Sequence, residues 1–287
     1  MANNTPPIST AAPAPVATPN AEPRHFELSG TEVRAMSSKL TGKDYELLID
    51  VPPSFNKEPN RRYPVLFLLD GQWDFALLHA LSGGLRYDRV MPEMIIVGIS
   101  YGGINPNYDD LRADDYVPTR AKHDEGPEIG GGAARFLSWL ETEVVPLVER
   151  EYRADPAHRI LSGSSYGGLF TLYALFEKPD LFESYVAICP TAMWDQRYIF
   201  GREKDFRKSH PKLEKRLWLS SGSDEWPVYL KNELAFFEQV KSSHYAGLTL
   251  KIYQAAGERH SGLKPETYNR AMRFVSEPFI TDKTNAK

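Results

Sequence analysis

The chain has 287 residues, with 34 Lys and Arg against 38 Asp and Glu, for a net charge of −4. That mild acidity offers no counterion-release term for a polyanion and argues against nucleic-acid binding, and no apolar run reaches the roughly 18 residues that cross a bilayer. A single cysteine, Cys189, excludes an internal disulfide and a cysteine-rich metal cage, and reads as a core thiol.

Residues 1–22 are almost entirely Ala, Pro, Thr and Asn. Such a segment has too little apolar surface to offset its ordering entropy, so a disordered tail is expected. It has neither the basic start nor the continuous apolar stretch of a signal peptide. Its composition suits a spacer behind an export signal or lipid anchor that has been removed, which points to a periplasmic or secreted protein; a cytoplasmic tail is the alternative. No internal repeat and no second linker divides residues 23–287, which are expected to form one domain.

Eight β-type segments follow in order, at residues 31–36, 45–51, 65–69, 94–100, 159–162, 184–189, 216–220 and 248–253. The third and fourth are continuously apolar, as strands covered on both faces of a parallel sheet are. Helical periodicity appears between the later strands. Phe136, Leu137, Leu140, Val144, Leu147 and Val148 share one stripe, which Pro146 should bend. Leu169–Leu175, Leu230–Val240 and Tyr268–Phe274 supply three more amphipathic runs. Alternating strands and helices predict an α/β fold, an open and mostly parallel eight-stranded sheet flanked by helices. In such sheets the chemistry gathers at the carboxyl ends of the strands.

Directly after the fifth strand comes Gly163-Ser164-Ser165-Tyr166-Gly167-Gly168, followed by a helical run. This is the G-x-S-x-G elbow in the strand–turn–helix setting its mechanism needs, with Ser165 as nucleophile and Ser164 off-centre. The helix start places the Tyr166 N–H beside a developing oxyanion. A serine hydroxyl needs a positioned base. Of the seven histidines, His260, in a Gly-bracketed loop after the eighth strand, occupies the slot that the order Ser, acid, His reserves for it. The acid should follow the seventh strand, where Asp224 and Glu225 are adjacent. Asp224 is the better helix cap by residue type, which favours Glu225 as the acid and leaves Asp224 as the alternative. A second oxyanion N–H is expected after the third strand, from Gln72 or Gly71.

These motifs carry a resemblance. Leu68-Leu69-Asp70-Gly71-Gln72, the elbow, Cys189-Pro190-Thr191-Ala192-Met193-Trp194-Asp195 and Gly257-Glu258-Arg259-His260 together resemble the esterase D and enterochelin-esterase type of α/β-hydrolase. Residues 115–119 and 143–152 are similar too, and the resemblance spans about residues 30–280. It implies a carboxylesterase working through an acyl-enzyme, on acylated sugars, feruloyl groups, siderophores or S-formylglutathione. It also implies Ser165 as nucleophile, His260 as base and the Tyr166 N–H in the oxyanion hole. In the family the third position after the seventh-strand Gly usually holds the acid, here Glu225, although some siderophore esterases use a Ser–His pair. An acyltransferase on the same machinery is the alternative reading, and a non-catalytic binding module would require an incomplete triad.

The stretch 101–130 is rich in Tyr, Asp, Asn and Pro and reads as a long functional loop. Tyr101, Trp194 and Trp226 are candidate aromatic contacts for a small-molecule or carbohydrate-linked ester. Arg112, Arg197, Arg202 and Lys204 could meet an anion but are better read as solvated or paired with Asp. No cofactor or metal is implied: there is no H-x-x-x-H pair, no second cysteine and no dinucleotide glycine fingerprint.

Overall fold

A computed structural model describes residues 26–122 and 126–280; the Ala/Pro-rich stretch 1–22, His25 and His123 lie outside the described residues. In chain order the first elements are β1 (Thr31–Ser37), β2 (Asp44–Asp50), β3 (Tyr63–Leu68), α1 (Gly71–Tyr87) and β4 (Ile95–Tyr101). Then come α2 (Tyr108–Tyr116), β5 (Arg120–Lys122), β6 (Glu128–Gly130), α3 (Ala133–Trp139), α4 (Val145–Glu151), β7 (Ala154–Ser164) and α5 (Tyr166–Glu177). The chain ends with β8 (Ser184–Ile188), α6 (Trp194–Ser209), β9 (Arg216–Gly222), α7 (Pro227–Ser242), β10 (Thr249–Ala255) and α8 (Lys264–Ser276).

All eight segments expected from the sequence join one sheet in the order β1-β2-β4-β3-β7-β8-β9-β10. β1 and β2 pair antiparallel, β2 joins β4 antiparallel, and every other neighbour is parallel. Strand alternation explains the continuous apolar runs. Val65, Phe67, Ile95, Val97 and Ile99 enter the core under α3–α7, whereas Leu66, Leu68 and Ile96 enter the core under α1 and α8. Both faces are covered, so both parities must be apolar.

Pro146 acts as its chemistry requires. The chain widens into a π turn, Leu140–Val144, and α4 then restarts with the proline in its first turn, where no N–H is needed. The stretch 101–130 is not the structureless loop the sequence suggested. It contains α2 and the β5–β6 pair, and the Asn107 side chain caps α2 by accepting from the Asp110 N–H. Asp109 and Asp110 in that first turn complement the helix dipole.

Candidate active site

β7 ends on Ser164, α5 begins on Tyr166, and Ser165 between them has φ 59° and ψ −119°. A side chain at positive φ costs on the order of 1–3 kcal/mol, so the neighbours must hold it. The Ser165 N–H donates to the Ile188 carbonyl at 2.9 Å, and its own carbonyl accepts from the Leu169 and Thr191 N–H groups. Glycine is required beside it, because a Cβ on Gly163 would be driven into the Gly167 carbonyl.

The loops after β9 and β10 are laced together by backbone. Ser223 N–H donates to the Ala255 carbonyl, Asp224 N–H to the Glu258 carbonyl, and Gly257 N–H to the Ser223 hydroxyl. A Cβ on Gly222 would collide with the Glu258 carbonyl, so the approach needs that glycine. This lacing brings His260 Nδ1 to 2.6 Å from Glu225 Oε2, while the Trp226 N–H donates to Glu225 Oε1 at 2.9 Å. A carboxylate only accepts, so Nδ1 carries the proton and Nε2 is left as the acceptor. Burial alone would raise the Glu225 carboxyl, but the bond from His260, the charge that ring carries when protonated and the Trp226 N–H together hold it below its ordinary value. Asp224, by contrast, is exposed, with its carboxylate on the Ser223 hydroxyl.

Ser165 and His260 open on one cavity of about 410 Å³, walled also by Asp70, Trp73, Arg112 and Lys264. Its cations are matched by buried acids. Arg112 makes two bonds to Asp70, at 2.7 and 2.8 Å, and a third to the Ser164 carbonyl, while Lys264 bonds Asp74 at 2.8 Å. The Arg112 guanidinium also lies within 6 Å of the Trp73, Tyr116 and Tyr166 rings. It thereby ties the loop before Gly71 to the elbow. Arg112→Ala would leave Asp70 buried without its cation and should cost about 3–5 kcal/mol, read as a lower urea midpoint at pH 7; an unchanged midpoint would show the pair contributes nothing.

Gly71 and Gln72 head α1, whose first N–H groups have no partner within the helix. A Cβ on Gly71 would stand 2.8 Å from the Gly98 carbonyl carbon, so only glycine lets α1 begin this close to β4. Trp226 is exposed, and its ring, with that of Tyr229, stands 5.6 Å from the His260 ring. These two rings and Trp194 wall a second cavity of about 660 Å³ with Thr191, Met193 and Lys122. Trp194 is otherwise buried, its indole N–H given to the Thr119 hydroxyl and carbonyl. Tyr101 is a correction: it is 1% exposed and packs in the core against Tyr45, not on either cavity. Arg197 bonds Asn232 and Arg202 bonds Glu177, which takes both away from either cavity wall; Lys204 is exposed. Of the other histidines, His79 bonds Asp50 and His158 bonds Glu183, away from Ser165.

Cys189, Glu225 and His260 each place one possible ligand atom within 4.8 Å of the others. Their donor chemistry does not suit a metal: the carboxylate is engaged by two N–H donors, and burial pushes the thiol far above its ordinary value. Sequence reasoning missed Asp70, Lys264 and Tyr229 as site residues. Tyr229 had a signal, since it lies three residues after Trp226 at the start of a helix and so shares its face.

A family model described as "Putative esterase" matches residues 38–261. The chain belongs to this esterase family. It is 29% identical over 272 residues to the ferri-bacillibactin esterase BesA of Bacillus subtilis, covering 88% of this chain and 92% of that one. It is also 29% identical over 209 residues to a siderophore triacetylfusarinine C esterase of Aspergillus fumigatus, covering 68% of this chain and 63% of that one. The solved structure of the BES protein from Bacillus cereus aligns with a TM-score of 0.81 at 28% identity, over 89% of this chain and 99% of that one. This esterase acts on ester bonds and has the α/β-hydrolase fold.

Proposed function

We propose that the esterase works through an acyl-enzyme with Ser165 as nucleophile, His260 as base and Glu225 as the acid that orients it. The observation that carries this reading is the 2.6 Å bond from His260 Nδ1 to Glu225, made by a histidine that shares its cavity with Ser165. Ser165 Oγ attacks the ester carbonyl while His260 Nε2 takes its proton, and Glu225 stabilises the imidazolium that forms. The Tyr166 N–H at the head of α5, with the Gln72 or Gly71 N–H at the head of α1, receives the oxyanion. His260 then protonates the departing alcohol, and water, activated by the same histidine, releases the acid.

The substrate we infer is a siderophore-type ester. Of the two relatives, one is named a ferri-bacillibactin esterase and the other a siderophore triacetylfusarinine C esterase. The two cavities add a physical reason: His260 stands between a cation-bearing space of about 410 Å³ and an aromatic one of about 660 Å³. A large ester with rings on both sides of the scissile bond can fill both, and remote contacts of that kind raise kcat as well as affinity. Turnover should be compared on ferri-bacillibactin, enterobactin, triacetylfusarinine C, methyl ferulate, acetylated xylan and S-formylglutathione. The expected result is kcat/KM on a siderophore ester roughly 100-fold or more above that on methyl ferulate. Preference for methyl ferulate or acetylated xylan would overturn the substrate assignment and leave the triad standing.

A further inference from the structure

Three acidic groups share the buried space behind the imidazole. Glu225 is 4% exposed, while Cys189 and Glu233 are fully buried. Glu233 projects from α7, and neither of its carboxyl oxygens has a hydrogen-bond partner among the described residues. Cys189 follows the last residue of β8 with φ 41°, and its N–H is fixed on the Ser220 carbonyl of β9 at 2.8 Å. That anchor holds its Sγ within 4.8 Å of both a Glu225 oxygen and a His260 ring nitrogen.

A space of this kind holds one negative charge at a time, because a second would be both desolvated and repelled. Glu225 has the claim to it, since it alone receives the His260 and Trp226 N–H groups. The other two keep their protons. Burial, with the Glu225 charge adding to it, pushes the Glu233 carboxyl up to about 9. Burial, with the Glu225 charge adding to it, pushes the Cys189 thiol up as well. A protonated thiol is a weak donor, and a carboxylate oxygen has lone pairs beyond the two N–H bonds it already accepts.

We propose that Cys189 is a positioning residue for ester hydrolysis, its S–H directed at the Glu225 carboxylate as a third donor that fixes the acid against His260. The thiol does not touch substrate and forms no covalent bond in the reaction. The proposal rests on the Ser165–His260–Glu225 assignment and adds to it the group that holds the acid from behind.

Two matched pairs of variants in the full chain separate donor from filler. Ser and Thr keep a donor at position 189, while Ala and Val do not; Val approximates the shape of Thr. With p-nitrophenyl acetate, Cys189→Ala and Cys189→Val should lower kcat roughly three- to tenfold, the scale of one ordinary hydrogen bond, as suits a weak thiol donor, with KM unchanged. The low-field proton NMR signal of the His260 Nδ1–H should shift in both. Cys189→Ser and Cys189→Thr should stay within about twofold of the parent rate and keep the signal in place. A role in packing alone predicts the opposite ordering of evidence, with Ser losing as much as Ala, and that result would overturn the proposal. Unchanged kcat and signal in Cys189→Ala would overturn it as well. Should Ala not fold, the Thr and Val pair gives the same contrast. Glu225→Gln, run alongside, separates the two readings: if it too leaves kcat unchanged, the triad assignment has failed, and if only Cys189→Ala does, the triad stands and the positioning role is gone.

Discussion

Ser165→Ala should lower kcat for p-nitrophenyl acetate by roughly 10⁵- to 10⁶-fold while the urea midpoint stays close to that of the parent. Removing one hydroxyl from a partly exposed turn deletes no packing, and the Cβ that causes the strain at φ 59° remains. Ser165→Gly should be equally inactive but more stable, by about 1 kcal/mol, because glycine adopts positive φ freely. The pair of variants tests whether the backbone strain is kept for chemistry. Ser164→Ala is the control. Its hydroxyl is buried and has no partner among the described residues, and what the site uses there is the backbone carbonyl that accepts from Arg112, so most of the activity should survive. A fluorophosphonate should label Ser165 alone, by peptide mass spectrometry. Retained turnover in Ser165→Ala, or label on Ser164, would remove Ser165 from the reaction.

Much of this architecture is legible locally. Strands covered on both faces read as unbroken apolar runs, and the elbow carries its own glycines because backbone must approach backbone. Tyr101 shows how a readable signal can be overlooked. It shares strand parity with Ile95, Val97 and Ile99, pairs in register with Tyr45, and follows them into the same core. Its position at the edge of a polar stretch suggested a loop residue, but alternation along β4 decides where it points. α2 was hidden for another reason: it is rich in Asp and Arg, so apolar periodicity is faint, and only Asn107 ahead of two aspartates marks its start. Arg112 and Asp70 lie 42 residues apart, and no local pattern joins them. The lacing of the β9 and β10 loops is equally non-local. It decides between two adjacent acids that residue type alone separated only by capping preference. Trp226, not Asp224, occupies the cap position of α7, so that preference favoured the residue now found on His260 for a reason the helix does not use.

Glu225→Gln carries the sharpest electrostatic consequence. With the carboxylate replaced by an amide, the imidazolium formed during attack loses its counter-charge, and the amide can hold His260 in the wrong tautomer. Changes of this type in a serine triad cost about 10⁴-fold in kcat, and KM should move little because Glu225 has no face on the cavity. Asp224→Asn should leave kcat near the parent value, since its carboxylate is exposed and bonded to Ser223. The pH dependence of stability should change with the same substitution. The Glu225 carboxyl is held below its ordinary value in the folded chain, so near pH 4 the unfolded chain binds more protons than the folded one. Its stabilising contribution is therefore complete above the unfolded value of about 4.3 and is lost as pH falls through the lower, folded value. A urea series between pH 3 and 7 should show this acid-side loss reduced in Glu225→Gln and intact in Asp224→Asn. Equal and small kinetic effects from both substitutions would leave Ser165 and His260 acting as a pair, with the 2.6 Å bond serving only to hold the loop.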